Sequence, residues 1–429
     1  MVAAAVAPER VPMLRALLAT LNTVPGVIDP GNALLPFGAF ETLHFARLVV
    51  VDDPTQGDIA AHGVAPRNLP VYLAFIGDCD GPVAAFYATL VARAHEGVVR
   101  LFAHCSDFGA EARSAAGLLA WLLAHEQPAA AAYVNWVGRT VQQIGEERAL
   151  QQALSHQLPQ VLRDSDGNLQ AARENLVAYA QGEQRAGRLT LTATPPTPWR
   201  WQWDRWADAL GTALSALLLL PFALVALPFY GWRLRRHEAR DPELAGRPDD
   251  PRVRALAASE DHDVSNPFTA VGAVKPGVLR WVTVRLALAF LTFACRHIYT
   301  RGHLTRVQTI HFARWSLLDG GQRLLFASNY DGSLESYMDD FINKVGWGLN
   351  LVFSNGVGYP RTRWLVEGGA LREQRFKAYL RRHELQTDAW YKAYPGLTTL
   401  DLARNSRIRQ GLERGPMSDA QTLTWLRLL

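Results

Sequence analysis

The chain has little cysteine. Its 429 residues include three, Cys79, Cys105 and Cys295, an odd number with no Cys-x-x-Cys pair, which excludes a disulfide framework and a structural zinc site. Reduced thiols facing a cytoplasm are expected. Charge of one sign is lacking too: 44 Lys+Arg stand against 40 Asp+Glu, a net +4, so there is no concentrated basic face of the kind that grips nucleic acid. No GxxxxGK[ST] run occurs, which removes a nucleotide P-loop. Met1 to Pro8 carries no basic segment leading into an apolar one, so no cleavable export signal is expected. At 49% hydrophobic and 20% charged residues, the chain is neither disordered nor collagenous and is long enough for two or three domains.

What is present, first, is one long apolar run. Leu210 to Tyr230 (LGTALSALLLLPFALVALPFY) is free of formal charge over about 21 residues, close to the ~20 that cover a bilayer core. Trp199, Trp201, Trp203 and Trp206 precede it; Trp232, Arg233, Arg235 and Arg236 follow, the side chains expected at headgroup level. A second apolar stretch, within 281–296, is clean only from Leu286 to Cys295, between Arg285 and Arg296. It fits an interfacial helix or the second arm of a hairpin. Pro221 and Pro228 can bend the first segment, so a monotopic insertion competes with a straight crossing. The partners expected are membrane lipids, and the place a cytoplasmic membrane with the soluble parts facing the cytoplasm.

The second feature is an internal repeat. Thr42-Leu43-His44-Phe45-Ala46-Arg47 matches Thr309-Ile310-His311-Phe312-Ala313-Arg314. Each is read as a strand, followed by a second strand ending in Asp-Gly (Asp80-Gly81, Asp331-Gly332), a helix (Pro82 to Ala94, Ser333 to Val345) and a short apolar strand (100–102, 351–353). Ala132 to Thr140 then aligns with Trp390 to Thr398, each leading into a polar helix. The pattern predicts an α+β fold: two repeated ferredoxin-like units packed as a pseudo-dimer around a membrane-inserting helical segment. The expected division is 1–190 for the first unit with an N-terminal helix, 191–305 for the membrane segment and an exposed charged linker (233–276), and 306–429 for the second unit. With both units on one side of the bilayer, the middle makes an even number of crossings or none.

Candidate sites follow from chemistry. On a regular strand, His44 and His311 share a face with the alanine two residues on, and Phe and Arg take the other; a functional reading puts His311 and Arg314 on a ligand at the seam of the two units, a structural one gives both histidines hydrogen bonds within the fold. Asp80 and Asp331 read as helix N-caps. The second unit also carries Glu335 and Asp339 four residues apart on one helical face near Asn329 and Asp331, either an acid/base or cation-binding pair or a solvated face. Gly356 to Arg363 is a glycine-rich insertion whose Arg361 and Arg363 suit an anionic headgroup. His237, Asp261, His262 and Asp263 match no metal-ligand spacing, and no metal is assigned.

Two related α+β copies, with Gly77-Asp78-Cys79-Asp80-Gly81 after a strand, resemble the dye-decolourising peroxidases and their dimeric α/β-barrel relatives. The resemblance implies haem as a cofactor, with Asp80 in the place of the family's distal aspartate and His44 beside it. The second copy reads Ser328-Asn329-Tyr330-Asp331-Gly332, and the family has no membrane insertion of this kind. The function expected is a membrane-associated enzyme, peroxidase-like, acting on a lipidic substrate through His311, Arg314, Asn329, Asp331, Glu335 and Asp339. A membrane-tethered scaffold without catalysis is the alternative.

Overall fold

Runs of β-branched and aromatic residues become strands in the computed structural model, which describes residues 1–193, 197–244, 251–258, 260–261 and 263–429. The fold is α+β, in two units: Met1–Val137 with Pro198–Ala393, and Gly138–Thr197 with Tyr394–Leu429. The larger unit begins β1 (Val2–Val6), α1 (Val11–Ala19), β2 (Asn22–Val24), β3 (Gly26–Ile28), β4 (Leu43–Val51), β5 (Val71–Cys79), α2 (Val83–Phe102), α3 (Ala115–Ala124) and β6 (Ala131–Val134). After α4 (Val141–Asp164) and α5 (Leu169–Arg185) of the smaller unit come α6 (Trp199–Arg240), α7 (Pro251–Ala258), β7 (Ser265–Ala273), α8 (Val278–His297), β8 (Ile310–Leu318) and β9 (Arg323–Asp331). Then follow α9 (Leu334–Phe353), the two-residue β10 (Thr362–Arg363) and β11 (Glu367–Gly368), α10 (Glu373–His383) and β12 (Ala389–Lys392), with α11 (Thr399–Glu413) and α12 (Asp419–Leu426) in the smaller unit.

Two sheets form the centre of the larger unit, ordered β1-β5-β4-β12-β3-β2 and β6-β8-β9-β7. β12 pairs antiparallel with β4 (Tyr391 opposite Ala46), and β6 with β8 (Tyr133 opposite Ala313), so each half of the sequence lends its last strand to the other half's sheet. The sheets face each other through Val49, Val51, Ala74 and Ile76 on one side and Val271, Leu318, Leu325 and Ala327 on the other. α1, α2 and α3 cover the outer face of the first sheet over Leu48, Leu73 and Phe75; α8, α9 and α10 cover the second over Phe268, Trp315 and Phe326. The layers run helix, sheet, sheet, helix.

Three elements differ from the sequence reading. The short strands expected at 100–102 and 351–353 are the last turns of α2 and α9, because buried positions keep a helical period through them: Gly97, Val98, Leu101 and Phe102 beyond a kink at Ala94, and Phe341, Val345, Leu349 and Val352. Within the expected linker, Ser265–Ala273 is a strand paired with β9 over its full length; Pro267 is tolerated because β7 is an edge. α8 then follows where the second apolar segment is expected, and it buries Val284, Ala287 and Leu288 against the second sheet's core.

Among the described residues, α6 and α8 are long and apolar enough to cross a membrane. They are antiparallel neighbours tied at two points: Asp208 meets Arg296 and His297 (3.2 and 3.0 Å), and the Tyr230 hydroxyl meets Thr283 Oγ1 (2.8 Å). From Asp208 to Tyr230 a helix measures about 33 Å, against about 21 Å from Thr283 to His297, so α6 does not lie flush along α8 between its ties. Every residue from Gly211 to Phe229 is exposed. Beyond them α6 is clipped into the fold by Glu238, whose buried carboxylate accepts from Thr362 Oγ1 (2.9 Å), Trp364 N (3.0 Å) and Leu365 N (2.9 Å).

The smaller unit packs α4, α5, α11 and α12 around Leu150, Leu154, Leu176, Ile408 and Trp425. Its helices α11 and α12 start with capping boxes, Thr398 with Asp401 and Ser418 with Gln421. Gly411 is required there, since a Cβ would fall 2.0 Å from the Trp425 ring.

Burial past the end of α10 makes the fold pH-sensitive. Glu384, buried beside Glu260 and Arg381, has its carboxyl pushed up to about 8 by burial and then by the Glu260 charge. The folded state therefore holds a proton there that the unfolded chain releases near 4.5, and stability falls as pH rises from about 4.5 to about 8. Glu384→Gln is expected to flatten that decline, read as melting temperature against pH.

Candidate functional site

The repeated His-Phe-Ala-Arg lies where the two sheets meet. Both copies carry a β-bulge: the register steps from Leu43 opposite Cys79 to Phe45 opposite Asp78, and from Ile310 opposite Tyr330 to Phe312 opposite Asn329. The extra residue reverses the alternation, so that Leu43, Ala46 and Leu48 all join the core beneath the helices. The histidines therefore do not share the alanine face, as a regular strand would have it. His44 and Phe45 both turn to the opposing sheet, where His44 lies 5.2 Å from the Phe312 ring and Phe45 lies 5.2 Å from His311 and 5.8 Å from Phe312.

Each histidine is latched. His44 Nε2 meets Asp80 Oδ1 at 3.0 Å and His311 Nε2 meets Asp331 Oδ1 at 2.7 Å. The same histidines accept, at their carbonyls, the amides of Ala393 and Asn135 just past the exchanged strands (2.9 Å each). The aspartates are thus not helix caps; α9 is capped by Ser333 and α2 has no side-chain cap. Ser265 Oγ donates to Asp331 Oδ1 (2.9 Å) and stands 3.4 Å from His311 Nε2. Serine and aspartate address the same ring nitrogen, whereas a nucleophilic relay needs them on opposite ones.

The two arginines of the motif differ. Arg47 is buried and reaches from the first sheet into the second, donating to Phe268 O (2.8 Å), Thr269 Oγ1 (3.0 Å), Ser328 O (2.7 Å) and Asn329 Oδ1. Asn329 in turn donates to Asp78 Oδ2 (2.9 Å). Burial lowers the Arg47 guanidinium to about 10 and raises the Asp78 carboxyl against the pull of Arg47 and Arg314. Arg314 Nη1 is buried without a hydrogen-bond partner. Beside them, burial pushes the Cys79 thiol up to about 11, which leaves it protonated and a poor nucleophile.

The remaining candidates lie elsewhere. Glu335 is exposed and Asp339 partly so, and they share Lys377 (3.0 and 2.7 Å) with Glu373, an ion cluster on the surface of α9 and α10. Glu335→Gln with Asp339→Asn is expected to cost about 1 kcal/mol or less in chemical denaturation, as exposed pairs do. Arg361 donates through Nε to Asp241 O (2.7 Å), and Arg363 is exposed 3.7 Å from Glu367. The glycine-rich insertion and the residues after it are tied to α9 through Asn350, which donates to Val366 O and Gly368 O and accepts from Tyr359 and Ala370. Gly369 is needed because a Cβ would come 2.1 Å from Asn350 Oδ1. Asp261 accepts from Leu334 N and Asp263 pairs with Lys392; His262 lies outside the described residues. Among the described residues no group of three His, Cys, Asp or Glu is placed to hold a metal.

The residues do not fit haem as the resemblance would have it. Both seam histidines direct Nε2 at a carboxylate, and Asp80 is engaged by His44. His383, in α10, is buried with Nε2 unpartnered, but the cavity it lines is about 30 Å³, room for a water or two and not for a macrocycle. Compared with known families, curated proteins and solved structures, the chain matches none.

Sequence reasoning passed over Arg47, although it stands in the repeated motif, and the buried ion cluster of Lys275, Asp241 and Arg280. Only the topology gives Arg47 its role, since its four acceptors lie more than 200 positions away. A lone aspartate just after a helix and two cations beyond a gap carry no spacing signal.

Proposed function

We propose that this chain is a membrane-surface protein handling a membrane-partitioned, lipidic substrate, with α6 inserted monotopically. The observation that carries this is α6 itself: its stretch from Gly211 to Phe229 is apolar and exposed on every side, which water does not tolerate in a stable helix, and it is bracketed by exposed Trp199, Trp203 and Trp206 and by Trp232. Attachment of both its ends to α8, which covers a sheet, favours lying in the interface over crossing. Val278, Trp281, Leu286 and Phe290 of α8 add exposed apolar surface. On this reading the globular units face the cytoplasm.

We further infer that the halves are copies of one ferredoxin-like unit, βαββαβ, that exchange their last strands. Support comes from the shared order (β1, α1, β4, β5, α2 with α3, β6 against β7, α8, β8, β9, α9 with α10, β12), the bulge at the same histidine and the His–Asp tie in both. An enzyme centred on the seam, an oxidoreductase included, is a second reading; Arg314 favours it, being the motif arginine with hydrogen-bonding capacity to spare. Flotation of the purified chain with phosphatidylcholine and mixed phosphatidylcholine/phosphatidylglycerol vesicles tests the first reading. Association with vesicles is expected, and a chain that stays at the bottom of the gradient with both would overturn it.

A further inference from the structure

Two cavities flank the segment around Gln56–His62, one against the start of α8 and the other against the C-terminal end of α6. One, of about 460 Å³, is lined chiefly by apolar groups, among them Ile59, Val64, Val274, Val278 and Trp281. That volume lies within the range of pockets that enclose small organic ligands. The other, of about 480 Å³, is lined by Trp232, Arg233, Arg236, His237, Arg240 and Asp241 beside His62. The three arginines recur at i, i+3 and i+7 and so share one face of α6.

The charge around the second cavity is unbalanced. Arg233 and Arg236 stack on Phe229 and Trp232 (5.8 and 5.4 Å), which leaves their N–H groups unspent. The acid in the wall, Asp241, is already held by two buried cations, Lys275 Nζ at 2.6 Å and Arg280 Nη2 at 2.5 Å. His62 Nε2 is buried there without a partner. Cations at a helix C-terminus complement its dipole, but that accounts for neither the cavity nor two further cations buried behind one carboxylate. Lys275 lines the apolar cavity and its partner Asp241 lines the cationic one, so the two stand back to back across a single ion pair. The apolar cavity takes Val278 and Trp281 of α8 into its wall and the cationic one Trp232 of α6, all three exposed apolar side chains.

We propose that these cavities form one binding site for a single-chain amphiphile with a phosphate head, the alkyl chain beside Trp281 and the phosphate on Arg233, Arg236 and Arg240. Guanidinium forks match phosphate oxygens in geometry and charge. The site names the ligand class for the membrane-surface reading above and rests on it, since the ligand arrives from the bilayer.

The test uses the full chain, purified and stripped of lipid, with hexadecyl phosphate, hexadecylphosphocholine and inorganic phosphate as probes, followed by tryptophan fluorescence and native mass spectrometry. One hexadecyl phosphate per chain is expected, with hexadecylphosphocholine and inorganic phosphate each weaker by about tenfold or more. Arg233→Gln/Arg236→Gln/Arg240→Gln is expected to weaken hexadecyl phosphate by about tenfold or more with an unchanged melting temperature. Ala65→Trp, on the exposed rim of the apolar cavity, is expected to remove the preference of the wild type for hexadecyl over octyl phosphate. Unchanged affinity in the triple variant, or equal affinity for both head groups, overturns the site. A wild type that floats on vesicles yet takes up no hexadecyl phosphate overturns this site alone, and one that does neither overturns the membrane reading with it.

Discussion

Arg47→Ala is expected to destabilise the larger unit by about 3–5 kcal/mol, because it strands buried acceptors that have no water to turn to. Phe268 O, Thr269 Oγ1, Ser328 O and Asn329 Oδ1 would lose their donor together, and all four belong to the sheet opposite. Arg47→Lys is expected to recover little, since one ammonium cannot span four acceptors that a planar fork reaches. Arg314 provides the internal comparison. It occupies the matching position of the same four-residue motif but leaves Nη1 unbonded, so Arg314→Ala is expected to cost about 1 kcal/mol or less. Equilibrium denaturation of the two variants side by side checks the ordering, and an Arg314 variant as unstable as the Arg47 variant would contradict it.

The second large effect concerns membrane attachment. Leu218→Arg with Val225→Arg places two charges on the exposed stretch of α6, each costing up to about 2.5–3.5 kcal/mol at bilayer depth and less nearer the interface. Vesicle partitioning is expected to fall by about a hundredfold or more, measured by flotation. The melting temperature in detergent should not move, because neither side chain packs against the protein. The same substitution at Leu288, buried on α8, is expected to unfold the larger unit instead.

How far the fold was legible in the sequence depended on the range of the interactions involved. Both long strand pairs and both Asp-Gly turns could be read because hydrophobic alternation and turn chemistry are local. The bulge was not legible: nothing in Leu-His-Phe-Ala-Arg distinguishes a regular strand from one with an extra residue, and the choice is made by what the opposite strand offers. The exchange of β6 and β12 was hidden for the same reason, since a four-residue strand carries no mark of the sheet it will join. Among the site candidates, His311, Asp331 and Asn329 do come together at the seam. Glu335 and Asp339 were drawn to Lys377, a residue some forty positions away that no helical spacing connects to them.

Strand exchange also sets a timetable for synthesis. The open flank of β4 finds its partner only when Ala389–Lys392 has left the ribosome, well over 300 residues after Val51, a wait of about 17–70 s at common translation rates. Throughout that interval the nascent N-terminal sheet offers an unpaired edge to any other extended chain. During the same interval α6 emerges as an exposed apolar segment, which on the proposed membrane-surface reading has a bilayer to enter. Early capture of α6 by the membrane would hold the unfinished sheet at a surface, away from other nascent copies, until its missing strand arrives from the far end of the same polypeptide.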